Sequence, residues 1–140
     1  MTYILGLDVG TKTIGVAKVS VENEITTPLQ TIKRQSVKKD VARILEICAD
    51  LSICEVVVGL PFQLDGTEGR SAKLARQIGN GIAEQDQNVQ IFYQDERFST
   101  IDAQQKMIYA GKSSEKRKKM IDAAAACIIL EHFLWAKKQQ

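Results

Sequence analysis

The stretch Tyr3-Ile4-Leu5-Gly6-Leu7-Asp8-Val9-Gly10-Thr11-Lys12-Thr13-Ile14-Gly15-Val16-Ala17 limits this chain's folding options more than any other. Two apolar runs flank a Gly-Thr-Lys-Thr turn, which predicts antiparallel strands over residues 3–8 and 13–20. The first strand ends on a carboxylate, Asp8. An ionised carboxylate among Ile, Leu and Val is costly unless a metal ion, a cation or backbone N–H groups compensate it. Gly10 and Gly15 leave room for a ligand or another backbone to approach. Asp8 is therefore read as one wall of a site rather than as a residue that merely caps a turn.

The remaining chain supplies the scaffold. Asn23-Glu24 makes a second turn, and residues 25–33 form a third strand in which Pro28 marks an edge position or a break. Ser36 offers a helix cap, and Val37, Val41, Ile44, Leu45, Cys48 and Leu51 recur at helical spacing over 37–51. Residues 54–60 are a compact run of β-formers, as in a buried parallel strand. A turn-rich loop over 61–69 leads to a helix at about 70–85, weakened by Gly79 and Gly81. Residues 89–94 alternate as a fifth strand. Ser99 or Thr100 caps a helix through about 110, ended by Gly111. The basic segment 112–119 is expected to be mobile, and a strongly helical element starts at Met120. A meander followed by right-handed crossovers gives one α/β domain over 1–140, a mixed five-stranded sheet of order 3-2-1-4-5 with helices on its faces. This is the ribonuclease H-like arrangement, and it brings the ends of strands one, four and five to a common edge.

Four acids fall at element ends: Asp8, the pair Asp95-Glu96, and Asp122 in the first turns of the last helix. Carboxylates suit Mg2+ or Mn2+, and two such ions about 4 Å apart can hold the attacking water and leaving oxygen of a phosphodiester. Strand five lies two strands from strand one, about 9–10 Å away, so the longer Glu96 is preferred to Asp95 as the second ligand. Bland alternatives exist for each acid: Asp95 in an ion pair with Arg97, and Asp122 complementing a helix N-terminus. Asp65 is a weaker candidate. His132, ten residues beyond Asp122, is assigned to nearly the opposite helix face and read as a core or surface residue rather than a ligand.

Composition narrows the partners. Apolar residues make up 44% and charged residues 26%, with no run long enough to span a bilayer, so a cytoplasmic location is expected. Cys48, Cys54 and Cys127 lack disulfide or zinc-ribbon spacing and are expected to be reduced and buried. A net charge of +2 does not by itself imply a nucleic-acid partner. Two basic blocks, Lys33-Arg34 with Lys38-Lys39 and Lys116-Arg117-Lys118-Lys119, would contact phosphates only if they flank the acids.

The strings GLDVGTKTIGVA, VVVGLPFQLDGTEG, QDERFST and KKMIDAAAACIILEHFL resemble, in order and over nearly the whole chain, the YqgF (RuvX) family of pre-16S rRNA nucleases, also described as Holliday-junction-resolvase-like. The resemblance implies a ribonuclease H-like fold, Mg2+- or Mn2+-dependent endonuclease chemistry, and maturation of the 5′ end of 16S rRNA in the bacterial cytoplasm. It assigns catalysis and metal binding to Asp8, Asp122 and Glu96 or Asp95, and phosphate contacts to Thr11, Lys12, Arg97 and Thr100. Better-known Holliday resolvases carry an acid at the end of strand four, where this chain has Leu60-Pro61. Branched DNA is an alternative substrate, and a monomer and a homodimer are both compatible. A non-catalytic rRNA-binding module is a competing reading. An actin-like ATPase is disfavoured by a chain too short for two domains.

Overall fold

A computed structural model describes residues 1–62, 65–96 and 114–139, the backbone alone for 114–122. In chain order it contains β1 (Tyr3–Val9), β2 (Thr13–Ser20), β3 (Thr26–Lys33), α1 (Val37–Leu51), β4 (Glu55–Leu60), α2 (Arg70–Gln85), β5 (Gln90–Asp95) and α3 (Ser114–Lys138). The sheet order is β3-β2-β1-β4-β5, as the pattern predicts. Short turns make β1–β2 and β2–β3 antiparallel, and helical crossovers make β4 parallel to β1 and β5 parallel to β4.

Strand alternation sorts side chains into two cores. Leu5, Leu7, Val56 and Val58 pack under α1 and α2 against Val41, Ile44, Ala75 and Ile78. Ile4, Ala17, Val19 and Val57 pack on the other face against Ala126, Ile129, Leu130 and Phe133 of α3. Both faces of the central strands are covered, which explains why β4 reads as an unbroken apolar run. Gly6 lets α3 descend onto β1. A Cβ there would lie 2.6 Å from Leu130 Cγ and 3.0 Å from the Ala126 carbonyl oxygen.

β3 is an edge strand, and Pro28 sits at its irregularity. Ala17 pairs with Pro28 and Val16 with Gln30, so Leu29 is the extra residue of a bulge. Ser36 caps α1 by accepting a hydrogen bond from Lys39 N at 3.1 Å.

Three expectations change. Residues 114–119 form the opening turns of α3 rather than a mobile segment, a role suited to Glu, Lys and Arg, which are good helix formers. Asp122 consequently lies about two turns inside the helix. The macrodipole reaches only the first turn, so complementing a helix N-terminus no longer accounts for it. Cys48 and Cys127 are buried as expected, but Cys54 is exposed just before β4. The helix expected over 99–110 lies outside the described residues. Among the described residues no helix is long and apolar enough to cross a membrane.

Candidate active site

β1, β4 and β5 run in the same direction, so their carboxyl ends share one edge of the sheet. Leu7 pairs with Val58 and Leu60 with Asp95, which brings the end of β5 level with the end of β1 across β4. Alternation then decides which acid faces which way. On β1, Ile4 and Gly6 face α3, and Asp8 shares their parity. On β5, Phe92 packs with the α3 core and Tyr93 with the opposite one. Glu96 continues the parity of Phe92 and Asp95 that of Tyr93. Glu96 N donates to Leu60 O at 3.0 Å, so the parallel ladder extends to it. Of the acidic pair, Glu96 therefore shares the face of Asp8.

The Glu96 side chain is buried, at 4% exposure. It lies beside Gly59 on β4, where an added Cβ would stand 3.6 Å from Glu96 Cγ and would collide with Ile129 Cδ1. β4 thus contributes a gap, not an acid; Ile129 fills it, and the Glu96 side chain runs along its border.

His132 is what the sequence reading set aside. Its Nδ1 lies 2.8 Å from both Glu96 carboxylate oxygens. With Glu96 ionised, Nδ1–H donates to the carboxylate; with Glu96 protonated, the carboxyl O–H donates to a neutral Nδ1. The assignment to the opposite face fails on helical geometry. Ten residues at about 100° each sum to roughly 1,000°, about 80° short of three full turns, so positions 122 and 132 lie within a quarter turn of one another. That signal was available in the spacing.

Burial raises the Glu96 pKa to about 7; the hydrogen bond and charge of His132 oppose the rise, while the negative charges of Asp95 and Asp8 add to it. The half-buried Asp8 is close enough for its field to act on Glu96 across β4.

The β1–β2 turn carries Thr11 and Lys12, both exposed. Gly10 N donates to Thr13 O at 2.8 Å. Arg34 holds the turn from outside: its backbone N donates to Lys12 O at 2.9 Å and its Nη1 to Gly10 O at 3.0 Å. Arg34 Nε meets Asp40 Oδ2 at 2.9 Å, and Asp40 Oδ1 accepts from Gln35 N at 3.1 Å. Asp40 is 2% exposed. Arg34, read from sequence as part of a surface block, is an internal strut. An aspartate beside Val41 in the first turn of an amphipathic helix was the available clue.

Asp65 accepts from Thr67 N at 3.0 Å and from Thr67 Oγ1 at 2.6 Å, so it closes its own exposed loop. Asp122 lies on the α3 backbone, with its side chain outside the described residues; Arg97 and Thr100 also lie outside them. Among the described residues no three His, Cys, Asp or Glu side chains gather closely enough to hold a metal ion. What they supply is two carboxylates on one face, hard oxygen donors at a parallel-strand edge, one of them against an imidazole.

A family model described as "RuvX: Holliday junction resolvase" matches residues 2–136. A protein of Clostridium beijerinckii, provisionally named a pre-16S rRNA nuclease, is 38% identical over 131 residues, covering 94% of each chain. Counterparts under the same name from Fusobacterium nucleatum and Cereibacter sphaeroides are 39% identical over 139 residues (99% of this chain, 100% of the other) and 40% over 131 residues (94% and 81%). The fold is similar to Thermus thermophilus RuvC solved with a Holliday junction, at TM-score 0.58 and 19% identity over 99% of this chain and 96% of the other. It is also similar to fowlpox virus resolvase solved with junction DNA, at TM-score 0.57 and 13% identity over 96% and 98%. With that model spanning nearly its full length and relatives near 40% identity along it, this chain belongs to the RuvX family.

Proposed function

We propose that this chain is a single-domain, metal-dependent endonuclease that hydrolyses phosphodiester bonds of pre-16S rRNA near its 5′ end, in the cytoplasm. The observation that carries the reading is Glu96: a buried carboxylate, drawn across β4 to the face of Asp8, with its pKa pushed up to about 7. Such a group is under-compensated in its charged form, which is the condition a divalent cation relieves. Hard oxygen donors on adjacent elements suit Mg2+ or Mn2+ rather than a soft-ligand metal.

Asp8, Glu96 and Asp122 are the residues that would hold the ion, with exposed Asp95 left outside the set. A bound divalent ion supplies Lewis acidity at the phosphoryl oxygens and lowers the pKa of a coordinated water. The chain's own residues do the rest. His132 fixes the orientation of the Glu96 carboxylate from the side facing α3. Arg34, anchored on buried Asp40, sets the backbone of the turn so that Thr11 and Lys12 meet a phosphate next to Asp8. Family resemblance assigns further phosphate contacts to Arg97 and Thr100, one and four residues after Glu96 in the chain. The apolar floor of Ile129 and Leu130 keeps water from the buried side of the carboxylates.

A second substrate, branched DNA, is supported by the description of the matching family model. No described residue is committed to reading a 2′-hydroxyl, the group that separates RNA from DNA. The test incubates the purified chain with a pre-16S rRNA leader and, in parallel, a four-way DNA junction, each with Mg2+ or Mn2+. Metal-dependent cleavage of the leader, lost in Asp8→Asn and Glu96→Gln, is the expected result. Cleavage of the junction alone transfers the function to DNA, and tight binding of rRNA without cleavage makes the chain an assembly factor instead. Sedimentation of the same sample distinguishes a monomer from a homodimer.

A further inference from the structure

The described lysines and arginines divide sharply by place. Away from the acidic edge they are engaged. Lys138 meets Glu24 at 2.7 Å and Arg43 meets Glu46 at 3.6 Å. Lys18 lies over the Tyr3 ring at 4.3 Å and Lys137 over Phe133 at 5.5 Å. At the edge where Asp8 and Glu96 sit, Arg34 is held by Asp40 and Arg76 by Glu68 of the β4–α2 loop, but Lys12, Lys33, Lys38, Lys39, Arg70 and Lys73 have no partner among the described residues. These are the β1–β2 turn, the end of β3 and the first turns of α1 and α2.

Folding does not explain that placement. Helix first turns favour acids, because the backbone N–H groups there carry partial positive charge. Here Lys38 and Lys39 occupy the first turn of α1, and Arg70 and Lys73 that of α2. The first turn of α2 contains no acid, and its N-cap Gly69 supplies no side-chain acceptor. In the first turn of α1 the one acid, Asp40, is consumed by Arg34. Cations and helix termini therefore add to a single positive field. An open groove of about 480 Å³ between β3 and α1 adjoins the first of these helix starts; Lys33 and Lys39 line it, with Arg43 paired to Glu46 and Asp40 held by Arg34.

We propose that this crescent binds the phosphodiester backbone flanking the cleaved bond, with one arm at Lys33, Lys38 and Lys39, another at Arg70 and Lys73, and Lys12 where they meet. The inference rests on the nuclease reading above and adds to it where the rest of the polymer lies. The cations span a turn, a strand end and two helices, too widely for a single phosphate. A nucleic-acid strand, with a charge about every 3.4 Å of axis, matches such a spread. Both arms stand on the α1–α2 face and the acids on the α3 face, so the strand reaches the acids by crossing the carboxyl ends of β1 and β4.

The test measures binding of the whole chain to a labelled pre-16S rRNA leader by fluorescence anisotropy from 50 to 300 mM KCl. Three variants are compared: Lys33→Gln/Lys38→Gln/Lys39→Gln, Arg70→Gln/Lys73→Gln, and Lys137→Gln/Lys138→Gln at the opposite end. Each lost phosphate contact lowers the slope of log affinity against log salt by about 0.7–0.9, so the first variant is expected to lose about 2 and the second about 1.5, with the third unchanged. The matching Lys→Arg and Arg→Lys sets restore the slope, which a merely misfolded variant would not allow. Shortening the flanks of the leader abolishes the difference between variants and parent. Parental slopes in both arm variants, with the parent itself binding and cutting, overturn the crescent and leave the nuclease reading intact. A parent that neither binds nor cuts the leader or the four-way junction overturns both.

Discussion

Replacing Glu96 by Gln should stabilise this protein increasingly as pH rises above about 4.5, with the full gain reached above about pH 7. Burial raises the Glu96 pKa from an ordinary 4.5 to about 7. The difference corresponds to about 3 kcal/mol, with little reduction for solvent because the side chain is almost fully enclosed. The sign follows from proton counting. Between pH 4.5 and 7 the folded chain holds a proton that the unfolded chain has released, so stability falls as pH rises through this window. Below pH 4.5 both states are protonated and nothing is lost; above pH 7 both are ionised and the fold carries the full cost. Glu96→Gln is neutral throughout. It should exceed the parent by up to about 3 kcal/mol at pH 8 and match it at pH 4.5, in urea titrations followed by circular dichroism with EDTA present. Mn2+ at pH 8 should close part of the gap by stabilising the parent alone. A gap that is absent at pH 8, or constant across pH, would refute the reasoning that Glu96 is buried without adequate compensation.

Other perturbations follow from the same geometry. His132→Ala removes the group that holds the Glu96 pKa down, so the acid limb of the kcat/KM–pH profile should shift to higher pH; an unmoved limb would mean that Glu96 does not depend on His132. Arg34→Met leaves buried Asp40 without its cation and should cost about 3–5 kcal/mol in chemical denaturation, with cleavage impaired through the β1–β2 turn. Gly59→Ala drives a methyl into Ile129 and should cost about 1–3 kcal/mol; the double variant with Ile129→Ala should lose clearly less than the sum of the two single losses, and additive losses would contradict the packing described.

Much of the architecture was open to reading in the chain itself. Hairpin turns at Gly10 and Asn23-Glu24 force an antiparallel meander, and helical periodicity over 37–51 and 70–85 forces crossovers. Handedness then leaves the order β3-β2-β1-β4-β5. The opening turns of α3 were misread because Lys116, Arg117, Lys118 and Lys119 suggest solvent, although a charged helical turn is equally solvated. Cys54 was misread because it immediately precedes β4, where the strand's alternation no longer applies.

The acids Asp8, Glu96 and Asp122 could be nominated from sequence because each ends or interrupts an apolar run, where a charge demands a reason. Periodicity is a local property of the chain and says which residues avoid water. It does not say which of them meet across strands and helices. The placing of Glu96 rather than Asp95 on the face of Asp8, the run of its side chain beside Gly59, the contact with His132 and the Arg34–Asp40 strut behind Lys12 all depend on register and side-chain parity between elements far apart in sequence. Only the assembled sheet, with α3 laid across it, fixes those.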